Sequence, residues 1–295
     1  MTRVLHLYLD ESGTPGSPKS RGDDGLYHLG VGCVATVDAA AAAKAWHDYA
    51  AANLPTTDGG TWRDEDYLGL APFLSSGLVL PIGSYARHSA ADVEAAAVRI
   101  EWIVARTGRT TIAPSNLAWL QHMIFVVHRA IVSAALAWGR VEMTELVFHL
   151  KTMKPEHWEV FTDAMSIMRP FVQAWWRRPD RPLLDFDAAV TAAAMLEGVG
   201  DEDVLPPRRA SVEEEPLLGL ADAVAALARR GLGVGFPLAR AATAVIAQAL
   251  APVELRSLLF VDDSDSFRAA LNRGIERELI GREPPGQAPR RGRRR

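Results

Sequence analysis

Two kinds of apolar segment alternate along this chain. Short runs rich in β-branched and aromatic residues, bounded by glycine, proline or charged residues, predict strands over residues 4–10, 27–37, 78–85, 146–150, 183–190 and 255–261. Longer segments rich in alanine and leucine predict helices over residues 39–53, 90–107, 115–138, 155–176, 216–230, 239–250 and 266–280. The alanines that continue the segment at 183–190 leave a helix open there as well.

The order of these segments predicts the fold class. A loop rich in glycine and proline separates the first two strands, which predicts an antiparallel hairpin with a long connection. Strands then alternate with helices, so we expect an α/β fold in which helices flank a mixed sheet with an N-terminal antiparallel hairpin. We expect one domain over residues 1–281, with a charged linker at 206–215 before the helix that begins at Pro216.

Charge is concentrated at the end of the chain. Residues 282–295 contain six Arg and one Glu, and the three prolines among them favour a disordered basic tail. The formal net charge of the whole chain is −4, so removing the tail's +5 leaves −9 on the remaining residues. An acidic body is not typical of a dedicated duplex-DNA binder, although the tail could contact nucleic acid.

Composition narrows the class of protein further. Hydrophobic residues make up 48% of the chain and charged residues 23%, which is typical of a globular protein with a large core. The single cysteine, Cys33, excludes an internal disulfide. No apolar run is long enough to span a membrane, and the first residues lack the apolar core of a signal peptide, so we expect a cytoplasmic location and no membrane partner.

The first predicted strand ends in acidic residues. Because side chains alternate along a strand, Tyr8 and Asp10 should face one side and Leu9 and Glu11 the other. A carboxylate at the end of a buried strand is costly unless something pairs with it, and a metal ion is one such partner. Asp10 is therefore a candidate metal ligand, and Glu11 is a weaker candidate because it faces away.

A second isolated carboxylate lies in a late helix. Asp222 is the only charged residue in the apolar segment from Leu217 to Leu227. A lone carboxylate on an apolar helix should be paired, protonated or bound to a metal. A structural ion pair with an arginine and a functional role are equally compatible with this spacing.

Together the two motifs resemble a bacterial family called domain of unknown function 3800. Residues 10–13 read Asp-Glu-Ser-Gly between a strand and an apolar second strand, as at the start of that family. Residues 218–222 read Leu-Gly-Leu-Ala-Asp, similar to the family's Leu-Gln-Leu-Ala-Asp pattern, with Gly219 in place of Gln. The family is similar to the ribonuclease H-like superfamily. The resemblance therefore implies a central mixed sheet whose first strand carries an acidic residue, with a second acidic residue brought beside it by a late helix.

The resemblance also implies a chemistry. In ribonuclease H-like nucleases such carboxylates hold two Mg²⁺ or Mn²⁺ ions, of which one activates water and the other stabilises the leaving oxygen of a phosphodiester. Carried over by position, Asp10 and Asp222 are the metal ligands and catalytic residues, and Glu11 or a nearby acid assists.

The chain departs from the superfamily at the end of the fourth strand, where another acidic residue is usual. His149 or Lys151 occupies that position here. His149 could ligate an ion such as Mn²⁺, or it could be an ordinary core histidine. The acidic residues that could fill the vacancy are Asp185, Asp187 and one of Glu213, Glu214 and Glu215.

Other motifs favour structural roles. Residues 30–35 match a loose dinucleotide-binding fingerprint but lie within a strand, so we reject that interpretation. Trp-Trp-Arg-Arg at 175–178 could stack on single-stranded nucleic acid, or it could close a helix, which is the more common use. Asp262, Asp263 and Asp265 could bind a cation or begin a helix. His122 and His128 are not aligned on one helix face for a shared metal.

The sequence therefore leads to two hypotheses about function. The first is a metal-dependent nuclease or phosphoesterase that acts on RNA or DNA with Mg or Mn as its cofactor. The alternative is a catalytically lapsed ribonuclease H-like protein that serves as a binding or regulatory module, which the missing fourth-strand acid favours. In addition to these two, a third hypothesis is a hydrolase that uses the same carboxylates on substrates other than nucleic acid.

Overall fold

A computed structural model describes residues 4–13, 20–56, 61–92, 114–139, 143–149, 158, 207–233, 235–250 and 258–264 of the chain. The strands within these residues are β1 (Val4–Ser12), β2 (Tyr27–Thr36), β3 (Leu80–His88), β4 (Met143–His149), β5 (Arg208–Ala210) and β6 (Phe260–Asp262). The α-helices are α1 (Ala39–Asn53), α2 (Ala71–Leu74), α3 (Pro114–Trp138), α4 (Leu217–Leu232) and α5 (Pro237–Ala249), and a 3-10 helix spans Asp64–Leu70.

All six described strands belong to one mixed sheet with the order β5-β4-β1-β2-β3-β6. Strand β2 is antiparallel to both β1 and β3, whereas β4 is parallel to β1, β5 is parallel to β4, and β6 is parallel to β3. The α/β class, the mixed sheet and the N-terminal antiparallel hairpin are therefore confirmed. The hairpin places β1 in the middle of the sheet, with partners on both sides.

Helix α4 packs across β1, β2 and β3 on one face of the sheet, and α1 and α5 lie beside it. Two glycines of β2 allow this close approach. A Cβ atom at Gly32 would lie 2.3 Å from the carbonyl oxygen of Ala221, and one at Gly30 would lie 2.3 Å from that of Ala225. The backbone of α4 thus rests directly on the sheet, which determines where its side chains fall relative to β1.

The core on this face is built mainly from small and aromatic side chains. One buried cluster contains Tyr8 and Val34 of the sheet, Leu217 and Leu218 of α4, and Trp46 of α1. Helix α3 covers the opposite face, where it contacts β2, β3 and β1. Burial on both faces explains why the central strands are nearly continuous apolar runs.

Several predicted boundaries were wrong. The segment at 206–215, expected to be a linker, contains strand β5, because three of its residues pair in parallel with the end of β4. Strand β3 continues to His88 rather than ending at Tyr85, and residues 258 and 259, predicted to belong to the last strand, are helical before β6 begins at Phe260. Such short or extended ends depend on pairing with a neighbouring strand, which local composition does not reveal.

Other predicted elements fall on residues that the structure does not describe. The helices at 155–176 and 266–280, the segment at 183–190 and the tail at 282–295 lie wholly or almost wholly outside the described residues, as does most of the helix at 90–107. The single domain over residues 1–281 accordingly stays a prediction. Within the described ranges, no single helix is long and apolar enough to cross a membrane, and α4 and α5 pass that test only as a pair bent by 113°.

Candidate functional site

Asp10 lies near the carboxyl end of β1, on the sheet face that α4 covers. Antiparallel pairing sets Asp10 opposite Gly32, and partners in such a pair project to the same face. The backbone of Ala221 in α4 lies directly over Gly32. The side chain of Asp10 is only 4% exposed, so its carboxylate is held under the helix.

His149 reaches the carboxylate of Asp10 from the neighbouring strand. Leu9 pairs with Phe148 in the parallel ladder, so the next residue of each strand brings Asp10 and His149 side by side. Nδ1 of His149 lies 2.9 Å from Oδ2 of Asp10. This hydrogen bond raises the pKa of His149 above its ordinary value, and the negative charges of Asp10, Asp222 and Glu213 raise it further, whereas burial opposes them.

Asp222 is positioned by the close contact between α4 and the sheet. It follows Ala221, which lies over Gly32, and its side chain is partly buried. Its charge raises the pKa of His149 from one side and contributes to the raised pKa of Tyr67, for which burial is the main cause. The structure therefore brings Asp10 and Asp222 to one face of the sheet, where the negative charges of both raise the pKa of His149.

Glu11 lies on the other face. Strand β1 continues through Ser12, so no turn redirects the Glu11 side chain. Glu11 pairs with Val31, which pairs in turn with Ser84, and the Ser84 hydroxyl contacts His122 of α3. Glu11 accordingly projects toward α3 and away from Asp10 and Asp222, so it does not join them as an assisting acid.

The acidic residues that follow β5 separate into different roles. Arg208 donates a hydrogen bond to the carboxylate of Glu215, and the backbone N–H of Ser211 donates to Glu214 over 2.8 Å. Glu213 is the member of this run whose charge acts on His149. Among the acids considered for the position at the end of β4, Glu213 is the one whose charge contributes to the raised pKa of His149. Asp185 and Asp187 fall outside the described residues.

The donor set limits what cation the site can hold. Within the described part of the chain, no three His, Cys, Asp or Glu side chains are placed to hold one metal ion together. Mg²⁺ is commonly bound through one or two carboxylates while it keeps several waters, so two carboxylates are enough protein ligands for a single ion of this kind. They do not supply the carboxylates for two ions.

A cleft of about 580 Å³ lies between α1 and the segment that precedes α4. Its walls are mostly apolar and include Trp46, Leu54, Val212 and Pro216. Glu213 also lines the cleft, and its charge contributes to the raised pKa of His149. Asp10, His149 and Asp222 are not among the residues that line it.

A buried polar cluster on the opposite face was not predicted. Arg129 of α3 and the Ser84 hydroxyl both donate to the carboxylate of Asp263, and Ser84 also contacts Nε2 of His122. Asp263 thus anchors the end of β6 to α3 instead of binding a cation, and Asp262 accepts a bond from the N–H of Ser264 over 3.0 Å. The sequence does indicate a buried partner for Arg129, because Arg129 is the only charged residue between 117 and 138.

The arrangement of Asp10, His149 and Asp222 has to be interpreted from its own geometry. No family model, no curated protein and no solved structure matches this chain. The resemblance to the domain of unknown function 3800 family therefore stays a prediction.

Proposed function

We propose that this protein is a metal-dependent nuclease or phosphoesterase with a ribonuclease H-like fold, acting on RNA or DNA. One observation carries the proposal: Asp10 on the central strand and Asp222 on the late helix lie on the same face of the sheet, where α4 rests directly on β2. Two carboxylates brought to one face from distant parts of the chain offer the oxygen ligands that a divalent cation prefers.

The fold supports the same proposal. The acidic residue lies on the central strand of a mixed sheet that begins with an antiparallel hairpin, and β4 runs parallel to that strand. The second acid reaches it from a helix late in the chain, as the resemblance to ribonuclease H-like proteins implies. The sheet topology and the positions of these two acids agree with what the resemblance implies, so the nuclease assignment is the first to test.

The residues would divide the work as follows. Asp10 and Asp222 would hold one Mg²⁺ or Mn²⁺ ion through carboxylate oxygens. Such an ion, when bound, polarises a phosphoryl oxygen or lowers the pKa of a bound water. The burial of Asp10 under α4 fixes its carboxylate, and His149 orients that carboxylate by holding a proton against Oδ2.

One observation favours the second candidate, a lapsed binding or regulatory module. His149 lies at the end of β4, where the resemblance implies an acidic residue. Its imidazole forms a hydrogen bond with the carboxylate of Asp10. A carboxylate held by an imidazolium needs no metal ion. In that case the fold would be kept and the chemistry lost.

A cleavage assay separates the two candidates. The purified protein is incubated with single- and double-stranded RNA and DNA in Mg²⁺ or Mn²⁺, beside Asp10→Asn and Asp222→Asn. We expect cleavage by the wild type and a loss of about a hundredfold or more in each variant, since each removes a metal-binding charge. Asp48→Asn, which alters an exposed carboxylate of α1, is the matched control. Absence of cleavage together with absence of Mn²⁺ binding would rule out the nuclease.

A gain-of-function variant gives an independent test. His149→Asp replaces the imidazole at the end of β4 with a third carboxylate beside Asp10. If Asp10 and Asp222 form a metal site, this variant should bind Mn²⁺ about tenfold more tightly in a calorimetric titration. An unchanged or weaker affinity in a folded His149→Asp protein would favour the module without chemistry.

A further inference from the structure

Arg229 lies on the same stripe of α4 as Asp222. The two residues are seven positions apart, which is close to two helical turns, or about 10 Å along the axis. Both side chains therefore project from the same side of the helix, with Arg229 displaced toward its carboxyl end. This end of α4 lies over the turn that follows β1.

The Arg229 side chain rests against Gly30 of β2 and against Gly13, the residue that follows β1. A Cβ atom at Gly30 would lie 2.7 Å from Cβ of Arg229, and one at Gly13 would lie 3.4 Å from both Cζ and Nε. Gly13 also has a φ of +90°, and a Cβ there would come within 2.6 Å of the carbonyl oxygen of His28. The guanidinium thus lies against Gly13, the last residue of the Asp-Glu-Ser-Gly motif, three positions after Asp10.

No described carboxylate pairs with this guanidinium. Burial lowers the pKa of Arg229, and among the described residues the charged or polar groups that shift this pKa are Arg230, Tyr67 and Tyr85. A partly buried cation normally has an anionic partner, because its desolvation is otherwise not compensated. The neighbouring Arg230 differs in this respect, since it donates to the carbonyl oxygen of Trp62 and lies over the ring of Phe236.

We propose that Arg229 binds a phosphate group of a nucleic-acid strand whose neighbouring phosphodiester lies at Asp10 and Asp222. A planar guanidinium can donate two parallel hydrogen bonds to phosphate oxygens, which makes arginine well suited to this ligand. Arg229 lies about 10 Å further along the helix axis than Asp222, and its guanidinium lies against Gly13, so it is placed to contact a phosphate next to the one at Asp10 and Asp222. The inference rests on the proposed function and deepens it, because it makes the substrate a strand rather than a monoester.

Binding of inorganic phosphate tests the anion site without any cleavage. Phosphate is titrated into the metal-free full-length protein and followed by calorimetry and by the ¹⁵N resonances of the arginine side chains. We expect Arg229→Gln to weaken phosphate binding about tenfold or more, and Arg229→Lys to weaken it less. Arg230→Gln is the matched control, because it removes the same charge one residue further along and should leave phosphate affinity unchanged.

The salt dependence of strand binding tests the second part. Affinity for a single-stranded oligonucleotide is measured without metal over a range of salt concentrations. Loss of one phosphate contact should reduce the slope of log K against log salt by about 0.7 in Arg229→Gln and leave it unchanged in Arg230→Gln. Circular dichroism confirms that each variant is folded, and Arg229→Lys replaces Arg229→Gln if the latter is not.

The results distinguish this inference from the proposed function. Phosphate binding that depends on Arg229 in a protein that cleaves nothing would support the anion site and overturn the nuclease. Cleavage that depends on Asp10, with phosphate affinity and salt slope unchanged in Arg229→Gln, would overturn the anion site and support the nuclease. Equal losses in Arg229→Gln and Arg230→Gln would show a general effect of charge and would overturn the assignment to Arg229.

Discussion

The carboxylate of Asp10 and the imidazole of His149 form a hydrogen bond, 2.9 Å from Oδ2 to Nδ1, between two parallel strands at the centre of the sheet. This bond is the main cause of the raised pKa of His149. We expect an NMR titration of the metal-free protein to place this pKa above the usual value of about 6.5. Asp10→Asn should bring it back toward that value, whereas Asp48→Asn should not, and an unchanged pKa in Asp10→Asn would contradict the pairing.

The same pair predicts how stability depends on pH. The pKa of His149 is higher in the folded state than in the unfolded state, so the pair stabilises the fold fully below about pH 6.5. That contribution is lost as the pH rises through the folded-state pKa. Urea unfolding of wild type and Asp10→Asn at a series of pH values should therefore show a difference that shrinks as the pH rises from acidic to alkaline. A constant difference would show that the proton on His149 contributes nothing.

Gly32 is required for the contact that positions Asp222. A Cβ atom there would lie 2.3 Å from the carbonyl oxygen of Ala221 and 2.4 Å from the backbone nitrogen of Ala225, neither of which can rotate away. Gly32→Ala should lower the free energy of unfolding by about 1–3 kcal/mol, because α4 must move off the sheet. Since Asp222 moves with it, the pKa of His149 should fall in the same variant.

Gly69→Ala is the control for that experiment. Its nearest contact would be the Cδ2 atom of Leu54 at 3.3 Å, the end of a flexible side chain. We expect a much smaller loss of stability in urea unfolding and no change in the pKa of His149. Equal effects from Gly32→Ala and Gly69→Ala would argue that the close approach of α4 does not position Asp222.

The buried pair of Arg129 and Asp263 should dominate the stability of the opposite face. Their side chains are 4% and 6% exposed, so removing one partner leaves an uncompensated charge in the interior. Arg129→Met and Asp263→Leu should each cost about 3–5 kcal/mol in urea unfolding, and the double variant should cost less than their sum. Strict additivity would contradict a direct pairing. These variants should leave the pKa of His149 unchanged, because they lie across the sheet.

His122 should make the protein sensitive to acid. Burial keeps the pKa of His122 well below its ordinary value, and the nearby His88 and Arg129 lower it further. Below about pH 6.5 the imidazole of His122 binds a proton in the unfolded chain but not in the folded protein. The free energy of unfolding therefore falls as the pH decreases. His122→Gln should show a shallower fall in melting temperature than wild type between about pH 6.5 and 5. Parallel curves would show that His122 does not contribute. The effect has the opposite sign to that of His149.

The two acidic motifs could be recognised in the sequence because each breaks an apolar pattern. Asp10 ends a strand, Asp222 interrupts a helix, and strand alternation already separated Asp10 from Glu11. The same reasoning applied to Arg129 would have revealed the second buried cluster. Partners were not predictable in this way, since Ser84 and Asp263 reach Arg129 only through the packing of β3 and β6 against α3.

By itself the sequence determined the longer helices and central strands of the described chain and the two carboxylates, because periodicity and isolated charges are local properties. Only the tertiary structure decided that β5 pairs with β4, that His149 meets Asp10, and that Arg229 lies against Gly13 without a described carboxylate partner. These relationships join residues far apart in the chain, and they depend on strand order and on the glycines that let α4 approach the sheet. A linear pattern shows these glycines but neither the strand order nor the helix that lies over them.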